Sequence, residues 1–209
     1  MKHRFIVVEG PIGAGKSTLA RLIAERTGAE LILEDPGGNP FLPLFYRDMK
    51  RHALSTQMFF LFQRIHQLAG VRQPDLFDKR AVADYMLAKD RLFAKLTLDD
   101  NEYKLYTQLY DHLKPQAPEP DLVIYLQASV DQLLSRIAKR GRSMERGIGE
   151  DYLTRLSEAY TRHFYEYDES PLLIVNSDRF DFAGNRADLD LLMQRIDTMR
   201  GKREYINAG

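Results

Sequence analysis

The 209-residue chain has no cysteine and no tryptophan, and its 30 basic side chains are cancelled by 30 acidic ones. Without cysteine there is neither a disulfide framework nor a thiolate metal site. A net charge of zero lacks the field expected of a general nucleic-acid or membrane-surface binder. Spanning a bilayer takes about 20 apolar residues, and no run approaches that length. The start, MKHRFIVVEG, holds one short apolar stretch before a glutamate and a glycine, too short for a secretory signal. The expectation is a cytoplasmic protein that binds neither nucleic acid nor membrane. His3, His52, His66, His112 and His163 show no metal-ligand spacing, so none is assigned a catalytic role.

What is present is alternation. Short β-rich runs, RFIVVE, ELILE, RAVADY, DLVIYLQ and PLLIVN, are separated by longer segments with helical spacing, among them LSTQMFFLFQRIHQLAGV and EYKLYTQLYDHL. Continuous apolar strands between helices imply a parallel sheet covered on both faces. QAPEP reads as a turn rather than a linker, so residues 1–209 are expected to form one domain. The fold class expected is α/β in three layers, with a five-stranded parallel sheet and helices on both faces.

The strongest local signal is GPIGAGKST. Gly10, Pro11, Ile12, Gly13, Ala14, Gly15, Lys16, Ser17 and Thr18 follow a strand-like run and open the helical pattern STLARLIAERTG, the context a phosphate-binding P-loop requires. Successive backbone amides can surround phosphate oxygens there, and Lys16 brings a cation to the terminal phosphates. A chance match in a chain this long has a probability on the order of one in a hundred. Arg136, Arg140 and Arg142 form a second cluster, the first two on one helical face, with Gly141 a natural helix end. Arginines on a segment that closes over a triphosphate stabilise charge on the transferred group, so a lid over about residues 136–149 is expected.

The acceptor is decided at LILEDPGGNP. A monophosphate acceptor is anionic and needs cations, whereas a sugar hydroxyl is neutral and benefits from a carboxylate that takes its proton. Glu34 stands at the end of the second strand-like run, the edge of an open parallel sheet where ligands bind.

GPIGAGKST, LEDPGGNPF, FYRD, the Gln57 to Arg64 helix, DYMLAKDRLFA and RIAKRGRSMERGI together resemble the deoxynucleoside kinases of deoxyadenosine, deoxyguanosine and deoxycytidine, in order over about 150 residues. The resemblance implies a P-loop NTPase fold, ATP as donor and Mg2+ held by Ser17 and Asp84. It implies Glu34 as general base at the 5'-hydroxyl of a deoxynucleoside in nucleotide salvage, with Tyr46 and Glu145 at the 3'-hydroxyl. Gln57 would pair with the base, Arg64 with Asp90 would complete the polar end of the pocket, and Phe93 would stack on the base. Asp181 and Phe182 would border the ATP adenine, and the protein would be a homodimer joined through helices. The seven-residue spacing of Gln57 and Arg64 independently puts them near one helical face, and a buried Arg64 would need a partner such as Asp90.

Two departures stand out. The family has Glu-Pro at the second strand, where this chain reads Glu34-Asp35-Pro36, and an acidic-Arg-Ser/Thr triplet at the third, where it reads Asp84-Tyr85-Met86. Tyr85 removes a cation, and Lys89, about one helical turn further on, is placed to supply one. DPGGNP also resembles thymidylate kinase, but the phosphate-binding arginine of that enzyme would fall on Glu34, where a carboxylate repels a dianionic acceptor. A P-loop ATPase or switch protein would need a water-positioning residue besides the acid of RAVADY. Deoxyadenosine is the substrate expected first, with deoxycytidine or deoxyguanosine near it.

Overall fold

The computed structural model describes residues 2–69 and 80–207. The chain runs β1 (Phe5–Glu9), α1 (Lys16–Thr27), β2 (Glu30–Ile32), α2 (Leu42–Phe45), α3 (Met49–Ala69), β3 (Ala81–Ala83), α4 (Ala88–Thr97), α5 (Asp100–Leu113), β4 (Leu122–Gln127), α6 (Val130–Arg140), α7 (Glu150–Glu166), β5 (Leu172–Asn176), α8 (Arg186–Thr198) and β6 (Arg203–Ile206). The sheet order is β2-β3-β1-β4-β5-β6, with every pairing parallel. In β1 every residue is buried, and so are the first five of β4, including neighbours that point to opposite faces. The centre of the sheet is therefore covered on both sides, as expected of an α/β P-loop fold.

The sheet has six strands, not the expected five. The additional strand, β6, pairs with β5 from Leu172↔Arg203 to Val175↔Ile206. Its sequence REYI is short and half charged, and only Ile206 is buried, so the apolar signal of an edge strand is nearly absent. β2 and β3 are also shorter than the runs that announced them, leaving Glu34 just beyond the strand and Asp84 just after β3. The α3 and α5 helices and the helix end at Gly141 lie where the periodicity put them, although Gly70 and Val71 of the expected α3 segment lie outside the described residues.

This topology makes the site. The chain leaves β1, passes to β2 and β3 on one side, then to β4 on the other, so the carboxyl end of β1 is a switch point where ligands bind in open α/β sheets. The P-loop sits there. Gly13 has φ +90°, and a Cβ on it would lie 2.8 Å from the Leu133 carbonyl oxygen. Gly15 has φ +99° and starts α1 without a side-chain cap, so no side chain competes for the first amides of the helix. The helix is fastened to the sheet by Leu19, Ala20, Ile23 and Ala24. Leu19 is 1% exposed, so Leu19→Ala is expected to lower stability by about 2–5 kcal/mol. Urea unfolding checks this through a lower midpoint at unchanged m.

Candidate active site

Three groups of side chains converge on one cleft at the carboxyl end of the sheet. The first is the P-loop, where Lys16 Nζ donates to the Pro11 carbonyl oxygen at 3.1 Å. Burial, reinforced by the charge of Lys89, lowers Lys16 to about 8, against the pull of Glu9, Glu34 and Asp84. Ser17 Oγ donates to Asp84 Oδ2, while Asp84 Oδ1 accepts the Glu34 backbone N–H at 2.7 Å. The loop is anchored from behind by Glu9, which is fully buried. Its two oxygens accept from the Gly10 N–H at 3.0 Å, the Met86 N–H at 3.0 Å and the Tyr160 hydroxyl at 3.1 Å, tying β1, the end of β3 and α7 together. Glu9 was missed in the sequence because a single acid closing an apolar strand looks like any strand end.

The second group is a buried cluster of four charges. Arg64, 3% exposed, donates through Nε to Glu34 Oε1 at 3.0 Å, bonds the same oxygen through Nη2, and bonds Asp90 through Nη1. Lys89 Nζ donates to Glu34 Oε2 at 2.9 Å. Burial pushes the Glu34 carboxyl up, but Arg64 and Lys89 outweigh it and hold the group well below the usual carboxylate range. Burial acts the same way on Asp90, where Arg64 does not fully offset it and the pKa rises to about 6. Burial opposes the charge of Arg64, but Asp90 and Glu34 more than restore it.

The third group walls the cleft. Tyr46, Gln57, Arg64, Phe93 and Glu145 all line it beside Glu34, Lys16 and Asp84. Gln57 Nε2 has only a long bond of 3.4 Å to Thr97, and its Oε1 is buried with no partner among the described residues. Asp90 lies behind Arg64, fully buried, with Oδ2 equally unpartnered. The sequence reading missed Thr56, Phe60, Phe45 and Tyr152 on the same wall. Thr56 and Phe60 keep the helical spacing of Gln57 and Arg64, the one signal that could have found them. The Phe60 ring lies 4.7 Å from the Arg64 guanidinium carbon, a cation–π contact inside the wall.

The arginines expected to form a lid divide. Arg136 is held in the body of the fold, donating to Ala14 O at 3.3 Å and Ser177 O at 2.6 Å. Arg140 grips Glu145 at 2.7 and 3.1 Å, and Arg142 approaches the same carboxylate at 3.7 Å. With the P-loop, Asp181 and Phe182, these three arginines line an adjoining cavity, and the Phe180 and Phe182 rings stack there at 5.3 Å.

A phosphate loop, an arginine-lined cavity and a facing cleft built round a carboxylate define a nucleotide-dependent phosphotransferase. Residues 6–199 match the deoxynucleoside kinase family model, and the chain belongs to that family. It is 35% identical to a deoxyadenosine kinase of Lactobacillus acidophilus, over 92% of this chain and 94% of the relative. It is 37% identical to a deoxyguanosine kinase of Bacillus subtilis, over 92% and 95%. The structure of deoxyadenosine kinase from M. mycoides with bound dATP superposes with a TM-score of 0.79 at 28% identity, covering 93% of this chain and all of that one.

Protonation of the cluster has a predictable sign. Asp90 has a folded pKa of about 6 against an ordinary 3.8, so its contribution to stability is complete below 3.8 and lost as pH rises through about 6. Glu34, lowered from 4.5, contributes in the opposite sense, above 4.5, and is lost on acidification. Lowering the pH from 7 to 5 should therefore shift the unfolding free-energy difference between wild type and Asp90→Asn toward wild type. Urea unfolding of both proteins at the two pH values checks this, and a shift toward the variant would contradict the burial of Asp90.

Proposed function

We propose that the chain transfers the terminal phosphoryl group of ATP to the 5'-hydroxyl of a deoxynucleoside, deoxyadenosine first. The observation that carries this is Glu34, a carboxylate lining the cleft beside Lys16 where a phosphate acceptor would meet a cation. ATP binds along Gly10 to Thr18, with Asp181 and Phe182 bordering its base and Arg136, Arg140 and Arg142 near its phosphates. Tyr46 and Glu145 receive the 3'-hydroxyl, Phe93 faces the base, and Gln57 pairs with it.

Members of this family use a divalent metal with ATP, and the residues present fit Mg2+. Ser17 Oγ and Asp84 Oδ2 are adjacent hard oxygens beside Lys16, and Mg2+ needs only one or two protein oxygens when phosphates and water complete its shell. Bound there, it neutralises charge on the phosphates. Among the described residues no group of three His, Asp or Glu side chains offers an all-protein site. Before the transfer Glu34 is ionised at neutral pH and orients the hydroxyl. Because the transition state of phosphoryl transfer is loose, the proton leaves late, and a weakly basic but well-placed carboxylate suffices.

Gln57 offers a free acceptor and a weakly engaged donor, the pair that reads the N6 and N7 edge of adenine. The names of the related enzymes point to the same group of bases. Placed in the cytoplasm as a salvage enzyme, the protein pairs with a second copy through helices: Phe62 on α3 and Leu105 on α5, 52% and 50% exposed, put apolar surface on two helices that pack together. Light scattering at micromolar concentration should report a dimer, and a monomer would contradict the pairing alone.

Glu34→Gln is expected to keep ATP binding and to lose turnover by roughly 10² to 10⁴-fold. Unchanged turnover would return Glu34 to a strand-end role. Initial rates with the four deoxynucleosides at equal concentration should place deoxyadenosine highest and thymidine lowest. Faster ATP consumption with a monophosphate than with any nucleoside would overturn the reading.

A further inference from the structure

Four charges lie together at the cleft, Glu34, Arg64 and Lys89 lining it and Asp90 behind Arg64, for a net charge of zero. Their connections are unequal. Arg64 bridges both carboxylates and keeps Asp90 whatever happens to Glu34. Lys89, 5% exposed, has Glu34 as its ion-pair partner at 2.9 Å, and its ammonium lies 5.7 Å from the centre of the Phe93 ring. Tyr85, at the end of β3, is fully buried and donates its hydroxyl to Gln67 at 2.8 Å, so it brings nothing to the cleft. Lys89 therefore lines the cleft as a cation beside Glu34, together with Lys16 and Arg64.

The arithmetic changes when Glu34 accepts a proton. Resting on the function proposed above, the step is the following. The O5'–H bond breaks and its proton goes to Glu34, O5' bonds to the terminal phosphorus, and the bond from that phosphorus to the bridging oxygen breaks, leaving its electron pair on ADP. Glu34 becomes neutral and the cluster acquires a charge of +1 that sits on Lys89, since Arg64 still has Asp90. The nearest new anion is the phosphoryl group on the oxygen that gave up the proton, within about 3 Å of Glu34 at transfer. A long, unbranched lysine can swing that far; Arg64, with its fork held at both ends, cannot.

We propose that Lys89 is a further catalytic residue, which holds Glu34 in place before reaction and passes to the transferred phosphoryl group as Glu34 takes the hydroxyl proton. The exchange keeps a buried ammonium paired at each stage and supplies charge where it develops.

The test uses the full chain with ATP, Mg2+ and deoxyadenosine. Lys89→Met, which keeps the stem, is expected to lower kcat by about 10² to 10³-fold, with KM for either substrate changed by less than about threefold. Lys89→Arg should recover at least about tenfold of that loss, because it keeps the charge and reach. In the double variant Glu34→Gln, Lys89→Met the losses should not multiply, since holding the Glu34 carboxylate is one of the two things Lys89 does and Glu34→Gln has already removed it. A loss carried by KM, or losses that multiply, would overturn the proposal. Should Lys89→Met fail to fold by thermal melting, Lys89→Gln gives the same readings. Absence of turnover by wild type with every deoxynucleoside would instead sink the functional reading, whereas full kcat in Lys89→Met removes only Lys89 from it.

Discussion

The site depends on one carboxylate suspended between two buried cations. Glu34 has no strand to hold it, because β2 ends at Ile32, and the chain beyond enters the Pro36–Gly38 turn. What fixes it is Arg64 from α3 on one oxygen, Lys89 from α4 on the other, and Asp84 on its backbone N–H. Two stretches far from Glu34 in sequence, α3 and the chain from Asp84 to Lys89, therefore meet at one acid. An ion pair buried this way adds little net stability, since desolvation offsets attraction, but removing one partner leaves a charge with nowhere to go. The arrangement is better explained by the chemistry it holds than by the fold energy it supplies.

Glu9 does for the phosphate loop what Arg64 and Lys89 do for Glu34. It sits under the first glycine of the loop and links it to the chain just after β3 and to α7. Asp84 then couples the two halves, bonding Ser17 from one oxygen and Glu34 from the other. Donor side and acceptor side are thus registered through a single aspartate. A displacement of β3 would misplace both, and in phosphoryl transfer positioning is most of the catalysis.

Much of this was legible in the chain. The β1 run, the GPIGAGKST loop and the α1 pattern are contiguous, and local order carries them. The α3 face was legible too, because Gln57 and Arg64 keep helical spacing. What stayed hidden involves residues without a pattern of their own. β6 reads as polar because an edge strand buries one residue in four. Asp90 lies behind Arg64 rather than on the wall, because a guanidinium bonded to two acids must have one on each side. The partner of Lys89 was invisible, since its pairing with Glu34 spans 55 positions and depends on how α4 packs in the fold, against α3 among others. Spacing finds neighbours within a helix; only the fold finds them between elements.

The central claim is that Glu34 faces a hydroxyl acceptor, and its most direct test is a distance. In a crystal structure of the protein with deoxyadenosine and a non-hydrolysable ATP analogue, the 5'-oxygen should lie about 2.6–3.2 Å from a Glu34 carboxylate oxygen. It should also lie in line with the terminal phosphorus and the bridging oxygen of the analogue. A 5'-oxygen beyond hydrogen-bond reach of Glu34, with the carboxylate still closed on Arg64 and Lys89, would contradict the account.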